Sequence, residues 1–119
     1  MFFKILMYKF PPATPIKDLK NAPSKSNLWI AGLVIVRQRP RTANGTLFIT
    51  LEDETGTANI ICWKNVFQKY KNTAIFSQLL LVNGILQKEE SVTNIIAIKL
   101  EDISYLLDEI EKINLFKSL

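Results

Sequence analysis

The stretch Leu28-Trp29-Ile30-Ala31-Gly32-Leu33-Val34-Ile35-Val36 is apolar at every position and runs directly into arginines at 37, 39 and 41. An extended chain turns alternate residues to opposite faces, so this stretch has two apolar faces. Alternation puts Ile30, Gly32, Val34 and Val36 on one face, and Ala31, Leu33, Ile35, Arg37 and Arg39 on the other. A strand that needs cover on both sides suits a position shared between two sheets. Gly32 lets such a strand bend sharply, and Pro40 stops its ladder because it has no N–H to donate.

The residues that follow complete a small set of elements. Strand two, Thr46 to Asp53, alternates Leu47, Ile49 and Leu51 as the core face with Thr46, Phe48, Thr50 and Glu52 outside. Asp53-Glu54-Thr55-Gly56 reads as a hairpin turn. Strand three, Thr57 to Trp63, turns Ala58, Ile60 and Cys62 inward and leaves Asn59 and Ile61 beside Phe48. Val66, Phe67 and Tyr70 share one face of a helix over Lys64 to Asn72, which is expected to plug a barrel. Strand four, Gln78 to Gln87, repeats the glycine-bent pattern at Gly84, and Lys88 to Ser91 turns the chain into strand five, Val92 to about Leu100.

Residues 1–27 form an extension ahead of strand one, with a short helix capped by Thr14, opened by Pro15 and ended near Pro23. Residues 28–104 form the barrel, and 105–119 a helical tail through Tyr105, Leu106, Ile110, Ile113 and Leu115. Three strands, a helix and two strands, with glycines at the bends, is the layout of an all-β, five-stranded Greek-key OB-fold barrel. Such barrels bind oligonucleotides across strands two and three and the loops joining strands one to two and four to five.

Composition narrows the chemistry. A chain of 119 residues, 48% hydrophobic and 22% charged, is the size of one domain with a core. Histidine is absent and cysteine occurs once, so the usual zinc ligand sets, an internal disulfide and a histidine base are all excluded. No nucleophile stands beside a base and no glycine loop is built to cradle phosphate, so a non-catalytic protein without cofactor or metal is expected. The amino terminus lacks signal-peptide features and no run is long enough to span a membrane, which predicts a cytoplasmic protein. The formal charge of +4 is uneven: residues 1–88 carry twelve basic and four acidic side chains, residues 89–119 three and seven. The larger, basic part would attract a polyanion; the acidic tail would not.

The candidate site follows from the barrel and its charge. Arg37, Arg39 and Arg41, two apart on an extended backbone, point the same way and could track phosphates, joined by Lys88 from the far loop; the plainer reading is a solvated strand end. Phe48, a large aromatic among threonines on an outer face, is a stacking platform for a base, or else packs under an amino-terminal segment containing Phe2, Phe3 and Tyr8. Asn59 and Thr46 would supply edge contacts. Glu52, Asp53 and Glu54 are turn residues, because consecutive carboxylates on a strand diverge. Cys62 reads as core, and Trp63 as an anchor for the helix.

The blocks Ala31 to Pro40, Gly45, Phe48 to Ile60, Trp63 with Val66-Phe67, Leu100 to Ser104, and Thr14-Pro15 with Asp18-Leu19 occur together in this order. In that combination the chain resembles the carboxy-terminal OB domain of bacterial error-prone DNA polymerases, relatives of the polymerase III alpha subunit, over residues 14 to 107. The palm, fingers and phosphoesterase-like domains of that family have no counterpart here. The resemblance therefore implies a detached module binding single-stranded nucleic acid, DNA in preference to RNA, with replication or repair proteins as rival partners and a vestigial gene fragment as a further alternative. A more distant likeness is to the anticodon-binding domain of class II aminoacyl-tRNA synthetases, where an aromatic on strand two stacks on a base and a polar side chain on strand three reads an edge. Phe48 and Asn59 stand at those positions.

Overall fold

The computed structural model describes residues 13–109. Within them five strands, β1 (Asn27–Gln38), β2 (Leu47–Asp53), β3 (Gly56–Cys62), β4 (Leu79–Glu89) and β5 (Val92–Asp102), close into a barrel in the order β1-β2-β3-β5-β4. β1 pairs antiparallel with both β2 and β4, which is what its two apolar faces require, and β3 pairs parallel with β5. The barrel interior collects Ile30, Leu47, Ile49, Leu51, Ile60, Cys62, Val82, Leu86 and Ile95, all buried. The alternation read for β2 and β3 holds along their length.

Closing so small a barrel brings backbones together at two glycines. A Cβ on Gly32 would lie 2.7 Å from the Glu52 carbonyl oxygen, and one on Gly84 would lie 2.5 Å from Ile95 Cγ2 and 2.6 Å from the Ile96 carbonyl oxygen. Only a residue without a side chain lets β1 and β4 approach their neighbours this closely.

Two short helices, α1 (Lys64–Lys69) and α2 (Lys71–Phe76), stand between β3 and β4 where one was expected. The helix breaks at Tyr70, whose φ of −117° and ψ of 34° lie outside the helical range. The break lets Phe67 and Ala74 both reach the core. A second, smaller apolar cluster lies on the other face of β1 and β4. There Ala31, Leu79 and Leu81 are covered by Ile103 and Leu106, with Trp29, Leu33 and Leu107 alongside. The described part of the carboxy-terminal segment therefore packs on the β1–β4 side. Ile110, Ile113 and Leu115 of the expected tail helix, like Phe2, Phe3 and Tyr8, lie outside the described residues.

The short helix ahead of the barrel is a 3-10 turn, Ile16–Asn21, with Pro15 at its cap position and no side-chain cap from Thr14. Its first N–H is satisfied from a distance: Asp53 Oδ2 accepts from Ile16 N at 2.9 Å. The other oxygen of Asp53 accepts from Thr55 N, Thr55 Oγ1 and Gly56 N. Of the three consecutive acidic residues, Asp53 is buried and holds the hairpin turn to the amino-terminal segment.

Candidate nucleic-acid interface

The outer surface of β1, β2, β3 and β5 carries two adjacent rows of side chains set by the strand registers. One row runs Gln38, Phe48, Ile61 and Ile96, and the next Val36, Thr50, Asn59 and Asn94. Phe48 is 38% exposed and Asn59 is exposed, while Ile61, Thr50 and Asn94 are half-buried. Successive rows on one face are about 7 Å apart, and four strands span about 14 Å across the ladder. A flat aromatic-aliphatic row thus lies one step from a row of amides and a hydroxyl. The first can support the face of a base; the second offers donors and acceptors together, since each asparagine carries both.

The loop end of this face adds Trp63, 50% exposed. Together with Ala43, Asn44, Thr46, Lys64 and Gln68 it lines an open recess of about 440 Å³. Asn44 adopts the left-handed conformation, φ 53°, and Gly45 has φ 85°, so the β1–β2 loop turns tightly over α1.

The cationic side chains are arranged differently from the sequence expectation. A bulge between Val34 and Val36 inserts Ile35 as an extra residue on β1. Val34 stands opposite inward Leu51, Val36 opposite outward Thr50, and Arg37 opposite inward Ile49. The bulge reverses the alternation beyond Ile35, so Arg37 leaves the Phe48 face. Its Nε donates to the Ala74 carbonyl at 2.7 Å and its Nη2 to the Ser77 carbonyl, closing the barrel mouth over α2. Burial lowers its pKa, partly offset by the Asp102 carboxylate. Arg39 turns to the same end, its guanidinium 4.2 Å from the centroid of the Phe67 ring. The three arginines therefore do not form one phosphate-facing row. Arg41 lies further along the β1–β2 loop, exposed on the 3-10 turn Arg41–Ala43.

Lys88 is likewise committed: its Nζ donates to the carbonyls of Lys20 at 2.9 Å and Ala22 at 2.5 Å. Thr46 is 4% exposed and forms part of the wall of the loop recess instead of the open face. The structure thus brings Phe48 and Asn59 together, as the alternation of β2 and β3 requires, and adds Thr50, Asn94 and Trp63 beside them. Asn94 enters through the parallel β3–β5 pairing, a contact between residues 35 positions apart in sequence that no local pattern carries. Among the described residues no group of His, Cys, Asp or Glu could hold a metal ion. Cys62 is buried, and burial pushes its thiol up to about 12.

A closed five-stranded barrel of this strand order, with a helical segment between the third and fourth strands and an aromatic-centred polar face on the second and third, defines the OB class. The chain belongs to the OB-fold nucleic acid binding domain family, whose pattern matches residues 28–113. Its curated relatives are more particular. It is 47% identical over 91 residues to error-prone DNA polymerase 1 of Rhizobium meliloti, covering 76% of this chain and 8% of that protein. Against the error-prone DNA polymerase of Ruegeria pomeroyi the identity is 39% over 101 residues, 85% of this chain and 9% of the relative. The chain thus matches a fragment of these polymerases, spanning under a tenth of their length.

Solved structures share the fold at lower identity. Asparaginyl-tRNA synthetase from Pyrococcus horikoshii, complexed with asparaginyl-adenylate, superposes with a TM-score of 0.62 at 23% identity over 76% of this chain and 22% of that one. A chain of a replication protein A heterotrimer bound to single-stranded DNA superposes with a TM-score of 0.61 at 15% identity, over 83% of this chain and 84% of that one.

Proposed function

We propose that this domain binds single-stranded nucleic acid, DNA in preference to RNA, without a catalytic step of its own. The observation that carries the reading is Phe48, a 38% exposed aromatic at the centre of an otherwise polar and aliphatic face. Burying it against a neighbouring element would satisfy folding; leaving it open beside Ile61 and Asn59 suits stacking of a base with its edge over the amide row. Trp63 extends the stacking surface toward the β1–β2 loop, where Arg41 and Lys64 meet the backbone. The preference for DNA rests on the kinship with DNA polymerases.

Fluorescence anisotropy of a labelled single-stranded 20-mer, as DNA and as RNA, tests this. The parent binds, more tightly to DNA; Phe48→Ala loses about 1–3 kcal/mol, or about five- to 150-fold in affinity, at unchanged salt dependence. Absence of binding by the parent at low salt would overturn the reading. A protein-docking role has its own observation: Phe76 at the end of α2 is 73% exposed, and Tyr105, next to the Ser104 whose hydroxyl accepts from Gln78 N, is 59% exposed. That surface would take a replication or repair protein, and Phe76→Ser would abolish such docking while leaving oligonucleotide binding intact.

A further inference from the structure

We infer that the 3-10 turn Ile16–Asn21 is a wall of the nucleic-acid groove, with Lys17 and Lys20 holding backbone phosphates beside a nucleotide seated in the recess behind Asn59. This rests on the reading that a single strand lies across Phe48 and Asn59, and it extends that strand's path toward the β4–β5 hairpin. The recess, about 200 Å³, lies between the turn and the β3–β5 seam, and Lys17, Lys20, Thr57, Asn59 and Thr93 contribute to its lining. Asn59 belongs both to this recess and to the amide row, so the two surfaces are continuous.

The geometry of the turn selects the two lysines. In a 3-10 helix residues three apart eclipse one another. Ile16 and Leu19, 5% and 4% exposed, are drawn together into the barrel core. Lys17 and Lys20, one step on, are therefore paired on the exposed side, directed by the same anchor. Both lysines line the recess and, among the described residues, no acidic one does, which raises the local potential for an anion.

The turn is also held from outside by hydrogen bonds to distant parts of the chain. Asp53 takes the Ile16 N–H, Thr55 Oγ1 takes the Lys17 N–H at 3.0 Å, and Lys88 Nζ binds the carbonyls of Lys20 and Ala22. Groups from the β2–β3 turn and from β4 thus fix both ends. Lys88 is a positioning residue here: it spends its charge on carbonyls and presents two other lysines to the groove. Along β3 from Ile61 past Asn59 to Thr57 the distance is about 13 Å, enough to separate the stacking site from the phosphate site along one bound strand.

The test is a salt titration of the parent, Phe48→Ala and the double variant Lys17→Gln/Lys20→Gln with a fluorescein-labelled 20-mer of thymidylate. Both lysines are exposed, so the double variant retains the parent's thermal transition. It is expected to bind about tenfold more weakly at low salt, with the slope of log affinity against log salt shallower by about 1.4 for two lost phosphate contacts. Phe48→Ala weakens binding and keeps the parent slope. A double variant matching the parent in affinity and slope, while Phe48→Ala is weakened, would overturn this inference and leave the proposed function standing. A parent that does not bind the probe overturns both.

Discussion

Arg37 and Lys88 show how a cationic side chain can be absorbed by the fold. Each reaches two backbone carbonyls on a distant segment, Ala74 and Ser77 for Arg37, Lys20 and Ala22 for Lys88. Hydrogen bonds to charged groups are worth about 1.5–3 kcal/mol each, but Arg37 is exposed, so screening reduces its share. Arg37→Met is expected to lower stability by about 1–2 kcal/mol in urea denaturation while changing oligonucleotide affinity less than threefold. A large loss of affinity at unchanged stability would return Arg37 to the phosphate path. Cys62 gives a prediction in pH. Its thiol ionises near 9 in the unfolded chain and near 12 in the barrel, so above pH 9 the native state holds the proton that the unfolded state releases. The Cys62 contribution is therefore fully present below pH 9 and declines between pH 9 and 12, by about 1.4 kcal/mol per unit. Urea midpoints at pH 8, 9 and 10 compared between parent and Cys62→Ala check it: the parent falls more steeply than the variant. In the folded state at pH 8 the thiol also resists alkylation, reacting only once urea unfolds the barrel.

Among the elements, β2 and β3 were legible because their alternation is unbroken: Leu47, Ile49 and Leu51, then Ala58, Ile60 and Cys62, are buried, and the residues between them are not. β1 was legible as a doubly covered strand, but its bulge was not. Val34, Ile35 and Val36 are all apolar, so no change of pattern marks the extra residue that sends Arg37 inward. The break between α1 and α2 carries no proline or glycine either; it follows from the space the barrel leaves for Phe67 and Ala74. The role of Lys88 depends on partners 66 and 68 residues away, which its neighbouring glutamates disguise as a solvated turn. The glycine bends, in contrast, were visible and have a measurable cost. Gly84→Ala places a methyl 2.5 Å from Ile95 Cγ2 and 2.6 Å from the Ile96 backbone, and is expected to destabilise by about 1–3 kcal/mol. Gly56→Ala meets only Ile16 Cγ2 at 3.6 Å and should change stability by less than about 0.5 kcal/mol. Equal effects of the two in urea denaturation would mean that the close approach of β4 and β5 is not what Gly84 provides.

For the molecule as a whole, the barrel separates two surfaces. One side of β1 and β4 is closed by Ile103 and Leu106; among the described residues the side formed by β2, β3 and β5 is open, aromatic at one row and amide-bearing at the next. The basic excess of residues 1–88 serves partly to hold the fold together, through Arg37 and Lys88, and partly to line the two recesses beside the open side, through Lys64, Lys17 and Lys20. The open face, bordered in this way, is the binding site we propose. It is tested most directly by mapping backbone amide shifts of the isotope-labelled protein during titration with a short single-stranded DNA. The account predicts that the largest changes fall on Phe48, Thr50, Asn59, Ile61 and Asn94, with little change at Leu81 and Ile103. Changes centred on the Leu81 and Ile103 side, or none at saturating DNA, would contradict it.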